Sequence, residues 1–338
     1  MPSSGLTVAV TGPTGDLGIA LVSALERSRA IGRVIGMARR PFDPAALGWK
    51  KTEYRQGDVT DRASVRELVT GADAVVHLAF AVLTASHATR QLNVDGSRIV
   101  FEETARAGVE RIAYASSVAA YGFHADNPDW LTEDVPPVGS PEHPYSAQKA
   151  EVEHLLADVL ARYPNTGAWI FRPCIVAGPR ARTLLDELPY QRVGEALPGP
   201  LSRLLGSLPL LKPVIPDPGS PFQLVHEDDV ARAFLAGVQG RGEPGAYNLA
   251  GEGTLTPGDL ARALGWHALP VPAAAVRATA ELATQLPLMP DQLAWIHALR
   301  TPMLMRTERA RRLLRWRPQF SSAETLTALV AAQRAAAD

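Results

Sequence analysis

An apolar, strand-like run, Leu6–Val10, leads without a spacer into Thr11-Gly12-Pro13-Thr14-Gly15-Asp16-Leu17-Gly18, and a helical pattern runs from Leu17 to Ser28. Few sequences make a turn this tight between a strand and a helix. Glycines at this spacing permit the turn, let another molecule approach the backbone closely, and let the helix pack hard against the strand. The helix N-terminus then offers unpaired N–H groups and a partial positive charge. In a strand–turn–helix setting this combination points to the pyrophosphate of a dinucleotide rather than to an ordinary βα turn.

The pattern continues as that fold requires. Strand-like runs recur at Arg33–Met37, Ala74–Leu78, Arg111–Ala115 and Ala168–Arg172. Helical stretches lie between or after them at Ala63–Thr70, Arg90–Ala107 and Ser146–Arg162. Strands apolar on both faces, alternating with helices, predict a doubly wound parallel sheet, an α/β Rossmann architecture. Proline crowds residues 179–221, so long helices and central strands are excluded there. Asp228 is expected to cap a helix Asp229–Gln239, followed by a short strand Ala246–Ala250. The expected division is a dinucleotide domain, 1–178 plus 222–250, and a smaller, loop-rich and helical C-terminal substrate lobe, 179–221 plus 251–338.

Composition narrows the partners. Lys+Arg 34 against Asp+Glu 35 gives a net charge of −1, no electrostatic basis for binding nucleic acid or an anionic membrane. No apolar run approaches the roughly 18 residues of a membrane span, and the first residues lack a basic leader. A cytoplasmic protein acting on a small molecule is expected. The single cysteine, Cys174, excludes an internal disulfide, and in an apolar strand it reads as a small core residue.

Where a carboxylate would accept the ribose 2′-hydroxyl of NAD, the sequence reads Gly36-Met37-Ala38-Arg39-Arg40. Two guanidinium groups suit the additional phosphate of NADP, so NADP is favoured, with NAD as the alternative. Two solvated arginines at a strand end are the plainer account. Asp58, after the next strand, either accepts from the adenine amino group or caps the following helix.

Tyr145 and Lys149, at i and i+4, stand one above the other on a helix. A neighbouring ammonium favours phenolate over phenol, which lets a tyrosine exchange protons near neutral pH. Strand Arg111–Ala115 ends in Ser116-Ser117, at the carboxyl edge where such sheets place ligands. His226-Glu227-Asp228-Asp229 looks metal-like, yet acids at a helix start are ordinary cap and dipole residues. No metal is expected.

Taken in order, the glycine loop, Gly57-Asp58-Val59, His77-Leu78-Ala79, Asn93-Val94, Ser116-Ser117, Tyr145-x-x-x-Lys149, Arg172-Pro173, Val225–Ala231 and Tyr247-Asn248-Leu249 resemble the extended short-chain dehydrogenase/reductase superfamily, its NAD-dependent epimerase/dehydratase group. The resemblance implies that Tyr145 is the acid/base, Lys149 binds the nicotinamide ribose, and Ser117 polarises the reacting oxygen. It implies cofactor contacts at Gly12, Thr14, Gly15, Asp16, Leu17, Gly18, Arg39, Arg40, Asp58, Val59, Leu78, Ala79, Asn93, Tyr145, Lys149 and Pro173. Asn93 has an equal alternative as a packed helix residue. A homodimer through the helices Arg90–Ala107 and Ser146–Arg162 is also implied.

Departures from the family pattern sort its chemistries. Dehydratases carry an Asp-Glu pair where this chain has Val118-Ala119, so dehydration is disfavoured. Epimerases place a diphosphate-clamping arginine where this chain has Phe222, and the Arg-x-Gly-Asp stretch is missing. Arg180, Arg182, Arg192 or Arg203 could substitute. An apolar lobe, with Phe222, Trp295 and Met303–Met305 among its candidate lining, suits a less charged alcohol or carbonyl. The leading reading is an NAD(P)-dependent oxidoreductase. A sugar-nucleotide epimerase with retained NAD is second, and a non-catalytic NAD(P)-binding sensor third.

Overall fold

The computed structural model describes residues 5–82, 87–181, 213–272 and 301–337. Seven strands form one parallel sheet: β1 (Leu6–Thr11), β2 (Ile31–Ala38), β3 (Thr52–Gln56), β4 (Ala74–His77), β5 (Arg111–Ala115), β7 (Gly167–Pro173) and β11 (Gly245–Leu249). Their order, β11-β7-β5-β4-β1-β2-β3, reverses direction at β1. In open α/β sheets the crevice at such a reversal is where ligands bind. Here it lies between the carboxyl ends of β1 and β4, which run in register from Val8↔Ala74 to Thr11↔His77.

Alternation along each strand distributes the core to the two faces. Val8, Val10, Val34 and Val76 point to one side, where they pack with Leu21 and Leu25 of α1 (Asp16–Arg27). Phe234 of a later helix, Glu227–Val238, completes that layer. Ala9, Ile35, Val75 and Ile112 point to the other side. There they meet Val65 and Leu68 of α2 (Arg62–Val69), Val100 and Phe101 of α4 (Gly96–Arg106), and Val152 and Leu156 of α5 (Pro144–Arg162). Both faces of the sheet are therefore covered, as the continuous apolar strands require.

The sequence pattern set no bounds for β3 and lacked the short strands outside the main sheet, and the elements differ from it at four further places. The Arg90–Ala107 helix is interrupted: α3 (His87–Arg90) passes through a π-helical turn, Gln91–Asp95, before α4 begins. The wider turn carries Asn93 to a buried position. α5 starts two residues early because Pro144 occupies its first turn, where the missing N–H costs nothing. The third difference is the cap of α6 (Glu227–Val238): His226, not Asp228, accepts from the first turn, through Nδ1 from Asp228 N at 3.1 Å. Asp58, offered as a cap for α2, is not one; Asp61 caps it, accepting from the N–H groups of Ala63 and Ser64.

The described part of the C-terminal region has its own small core. Ile215 of β9 (Val214–Asp217) packs with Leu224 of β10 (Leu224–His226), Leu260 of α7 (Pro257–Leu264), and Leu326 and Leu329 of α9 (Ser322–Ala337). Ala310 of the short α8 (Glu308–Leu313) joins the main core instead. β9 pairs in parallel with β12 (His267–Pro270), and β10 with β8 (Ile175–Ala177). β13 (Leu304–Met305) pairs with β6 (Trp130–Leu131), which ties this region to the segment after β5. Among the described residues, no helix is long and apolar enough to cross a membrane.

Candidate active site

At the carboxyl end of β1 the three glycines do different work. Gly12 has φ +72°, and a Cβ there would press on the Ala79 backbone at 3.0 Å, so the turn itself demands glycine. A Cβ on Gly18 would lie 2.2 Å from the Gly12 carbonyl oxygen, so helix α1 can approach β1 only without one. Gly15 is different. Its φ is −75°, and a Cβ added there would have its nearest protein atom 3.8 Å away. Nothing in the protein requires glycine at 15; an open cradle at a helix N-terminus does, once a phosphate is to approach the backbone. Gly15 also caps α1 without a side chain, so the cap itself blocks none of the first-turn N–H groups. Thr14, Gly15 and Asp16 are exposed and Leu17 half-buried along this edge. The residues present thus fit a dinucleotide pyrophosphate.

Arg39 and Arg40 follow β2 directly and are exposed. Gly12 N donates to Met37 O at 3.2 Å, which keeps this strand end beside the glycine turn. Neither arginine has an ion-pair partner among the described residues. Asp58 forms a local turn, its Oδ1 accepting from Thr60 N (2.9 Å) and Thr60 Oγ1 (2.8 Å). Val59 is a core residue, so only its backbone could meet a ligand.

Behind the crevice runs a buried chain of hydrogen bonds whose directions are fixed. Ser97 Oγ gives its proton to Asn93 O, so it must accept from His77 Nε2 at 2.8 Å. His77 Nδ1 is then the acceptor for Thr11 Oγ1 at 2.7 Å, and Thr11 Oγ1 in turn accepts from Leu78 N and Ala79 N at 3.3 Å. Only a neutral imidazole with its proton on Nε2 satisfies this order. Burial, with a smaller push from Lys149, accordingly lowers the His77 pKa to about 3. Asn93 extends the chain: Oδ1 accepts from Ala81 N (2.7 Å), and Nδ2 donates to Ala81 O (2.9 Å) and Gln148 Oε1 (2.8 Å). Both its donors are used inside the protein. Asn93, expected either as a cofactor contact or as a packed helix residue, is a buried clamp on the loop after β4.

Tyr145 and Lys149 stand on the first turns of α5, and three bonds fix that end, two against the Ser117 segment and one against Ser140. Lys149 Nζ donates to Ala115 O at 2.6 Å, Ser146 Oγ donates to Ala119 O at 2.6 Å, and Ser146 Oγ accepts from Ser140 N at 2.9 Å. Ser117 Oγ accepts from Ala119 N at 3.2 Å, capping a 3₁₀ turn. Its hydroxyl proton is uncommitted among the described residues. Tyr145 is half-buried and Lys149 fully so. Burial lowers the Lys149 pKa to about 7, opposed by the charge of Glu153. Phe80 lies with its ring face 3.5 Å from Lys149 Nζ.

A second buried network supports this edge from below. Glu153, one turn beyond Lys149, binds Arg172 through two bonds of 2.9 and 2.6 Å and accepts from Ser116 Oγ at 2.5 Å. The Arg172 guanidinium stacks on Tyr121 at 4.6 Å, and Tyr121 donates to Asn248 Oδ1 at 2.7 Å. Glu133 Oε1 accepts from Asn248 N at 2.8 Å. Ser146, Glu153 and Phe80 were not legible as site residues in the sequence. A Glu four residues after the lysine, on the same helix face, is the one signal that could have marked any of them.

Pro173 is buried at the carboxyl end of β7. Several other candidates resolve as structure. Burial pushes the Cys174 thiol well up, so it is held as an unreactive thiol. Glu227 grips the chain at Arg180 and Ala181 through their N–H groups, and Asp229 grips Gln319 and Phe320 in the same way. Those acids are chain clamps rather than ligands. Phe222 exchanges two backbone bonds with Leu255 and packs against the C-terminal core, while Met305 is buried in a strand. Phe222 is half-buried there, and Met305 belongs to the main core. Arg182, Arg192, Arg203 and Trp295 lie outside the described residues.

A model of the "NAD dependent epimerase/dehydratase family" matches residues 8–250. The chain belongs to this family. Among its relatives, sterol demethylase protein B of Methylococcus capsulatus is 35% identical over 214 residues, 57% of this chain and 60% of that protein. UDP-glucose 4-epimerase of Neisseria meningitidis serogroup B is 28% identical over 251 residues, 69% of this chain and 73% of that protein. The fold superposes on MoeE5 in complex with UDP-glucuronic acid and NAD with a TM-score of 0.72, at 22% identity over 98% of this chain and all of that one. The family's members are NAD-dependent enzymes, in keeping with the cradle found here.

Three outcomes test this geometry. Gly18→Ala should lower the unfolding free energy by about 1–3 kcal/mol through overpacking. Gly15→Ala should leave the melting temperature unchanged and weaken dinucleotide binding about tenfold or more in calorimetry. Because the folded His77 pKa lies below the unfolded value of 6.5, the unfolded state binds the extra proton between them. Stability from this group is complete above about pH 6.5 and is lost as pH falls toward 3; in urea titrations His77→Gln should flatten that slope.

Proposed function

We propose that this family member is an NAD(P)-linked oxidoreductase acting on the alcohol or carbonyl of a weakly charged, largely apolar small molecule. The observation that carries the reading is that the Ser117, Tyr145 and Lys149 set is intact while Arg180, the candidate diphosphate-binding arginine among the described residues, is already ion-paired. Arg180 is ion-paired to Glu227 (3.0 Å) and Asp228 (2.5 Å), Arg306 lies over the Trp130 ring at 4.8 Å, and position 222 is a packed phenylalanine. A diphosphate bound among them would stay poorly compensated. The match to a sterol demethylase protein supports an apolar substrate.

In this reading Gly12, Gly15 and the start of α1 hold the pyrophosphate, Lys149 holds the ribose, and the bound cofactor supplies or takes the hydride at its nicotinamide C4. During reduction the Tyr145 hydroxyl gives its proton to the substrate oxygen as the carbon receives the hydride; in oxidation it takes the proton back. Ser117, with its hydroxyl proton uncommitted, donates to the same oxygen and lowers the energy of the charge that develops there. Arg39 and Arg40, exposed beside the glycine turn, favour NADP over NAD, and a homodimer through α4 and α5 belongs to the same proposal.

The alternative, a sugar-nucleotide epimerase with retained NAD, draws on the alignment with UDP-glucose 4-epimerase. A nucleotide that co-purifies at one per chain and does not exchange would favour it. Under the leading reading, a panel of apolar alcohols and ketones should give cofactor-linked absorbance change at 340 nm, and Tyr145→Phe should reduce it by about a hundredfold or more. Replacing Arg39 and Arg40 together by alanine should weaken NADP binding about tenfold or more while leaving NAD binding nearly unchanged.

A further inference from the structure

We propose that Phe80 is a positioning residue for the Tyr145–Lys149 pair, its ring face holding the Lys149 ammonium in place and charged while leaving N–H donors to a ligand. The proposal rests on the reading of Lys149 as the cofactor-side ammonium. Three observations support it.

First, one ring meets both side chains. Lys149 Nζ is 3.5 Å from the Phe80 ring centroid, at van der Waals contact, and the Tyr145 ring stands perpendicular to that of Phe80 with centroids 5.7 Å apart. Second, the ring is held there. The next residue, Ala81, is gripped at both its N–H and its carbonyl by Asn93, and Asn93 is bonded to Gln148, the residue before Lys149. The loop carrying Phe80 is therefore tied to the helix carrying the pair. Third, the contact meets a need. The ammonium has three N–H donors, and the bond to Ala115 O uses one. A polar acceptor in place of Phe80 would take another and compete with a ribose hydroxyl. An aromatic face stabilises the charge through its quadrupole without acting as such an acceptor.

The other charged or titratable groups around the ammonium are Tyr145 and Glu153 on α5, Tyr114 on β5 with its ring 5.1 Å from Nζ, and His77 at the end of β4. Arg172 on β7 stands behind Glu153. Glu153 favours the ammonium and burial disfavours it; His77 is neutral. These groups keep their identity in both replacements of Phe80, so a shift in Phe80→Leu that is absent from Phe80→Tyr reports the aromatic face. With the Lys149 pKa near 7, a modest change in that contact moves the charge at physiological pH.

The test uses ligand-free protein. The chain has four lysines, Lys50, Lys51, Lys149 and Lys212, so ¹³C labelling at lysine Cε gives a resolvable spectrum, with the Lys149 signal identified by its loss in Lys149→Gln. Phe80→Leu, which keeps the bulk and removes the aromatic face, should lower the Lys149 titration midpoint by about 0.5–1.5 pH units. Phe80→Tyr, which keeps the face, should restore it. An unchanged midpoint in Phe80→Leu, or an equal fall in both variants, overturns the proposal. Should the leucine variant fail to fold, incorporation of mono-, di- and pentafluorophenylalanine at position 80 weakens the ring quadrupole at nearly constant shape. The midpoint should then fall stepwise with fluorine number, and its absence of trend overturns the proposal. Because no substrate or cofactor is present, the outcome is independent of whether Tyr145→Phe abolishes turnover.

Discussion

The neutral imidazole of His77 joins the parts of the site that the chain supplies from distant positions. It sits at the end of β4, in register with Thr11 at the end of β1, and it accepts from the Thr11 hydroxyl. The same hydroxyl receives the N–H groups of Leu78 and Ala79, against which Gly12 packs with no room for a side chain. On its other side the ring reaches Ser97, hence Asn93, and so the loop bearing Phe80. A charged imidazole would have two donors and no acceptor, and the chain of bonds would break at Thr11. Low dielectric surroundings make the satisfied chain stiff and the broken one costly.

The catalytic edge uses a different device. Lys149 is an isolated buried ammonium, which the interior opposes, and its near neighbours offset that cost in separate ways: the Ala115 carbonyl by a hydrogen bond, Phe80 by its ring face and Glu153 by its charge. Glu153 is in turn fixed by Arg172 with two bonds and by Ser116 with a third. A buried ion pair contributes little net stability and is severely destabilising when one partner is lost. Its value here is geometric, since it sets the height of α5 against the end of β5 and therefore the distance from Tyr145 to the Ser117 segment.

In the proposed function the glycine turn, the His77 chain and the Glu153–Arg172 pair build the frame for hydride transfer without reference to a substrate. In that same proposal substrate discrimination falls to the C-terminal lobe, where Phe222 packs half-buried against the core and Arg180 is engaged by two carboxylates.

The sequence alone determined the parallel sheet, the glycine turn and the Tyr145–Lys149 stripe, because each follows from local periodicity: alternation in strands, glycine spacing in a turn, and four residues per face on a helix. It also reduced the acids after His226 to helix-start residues, although it misplaced the cap. What it could not determine were contacts between residues far apart in the chain. Asn93 is a clamp rather than a ligand because Ala81 and Gln148 converge on it, twelve residues before and fifty-five after. Phe80 meets Lys149 only because β4 and α5 flank the same crevice, and Glu153 finds Arg172 only because α5 lies against β7. Such contacts depend on the register of strands and the crossing of helices, which no local pattern encodes, so the tertiary structure alone decided them.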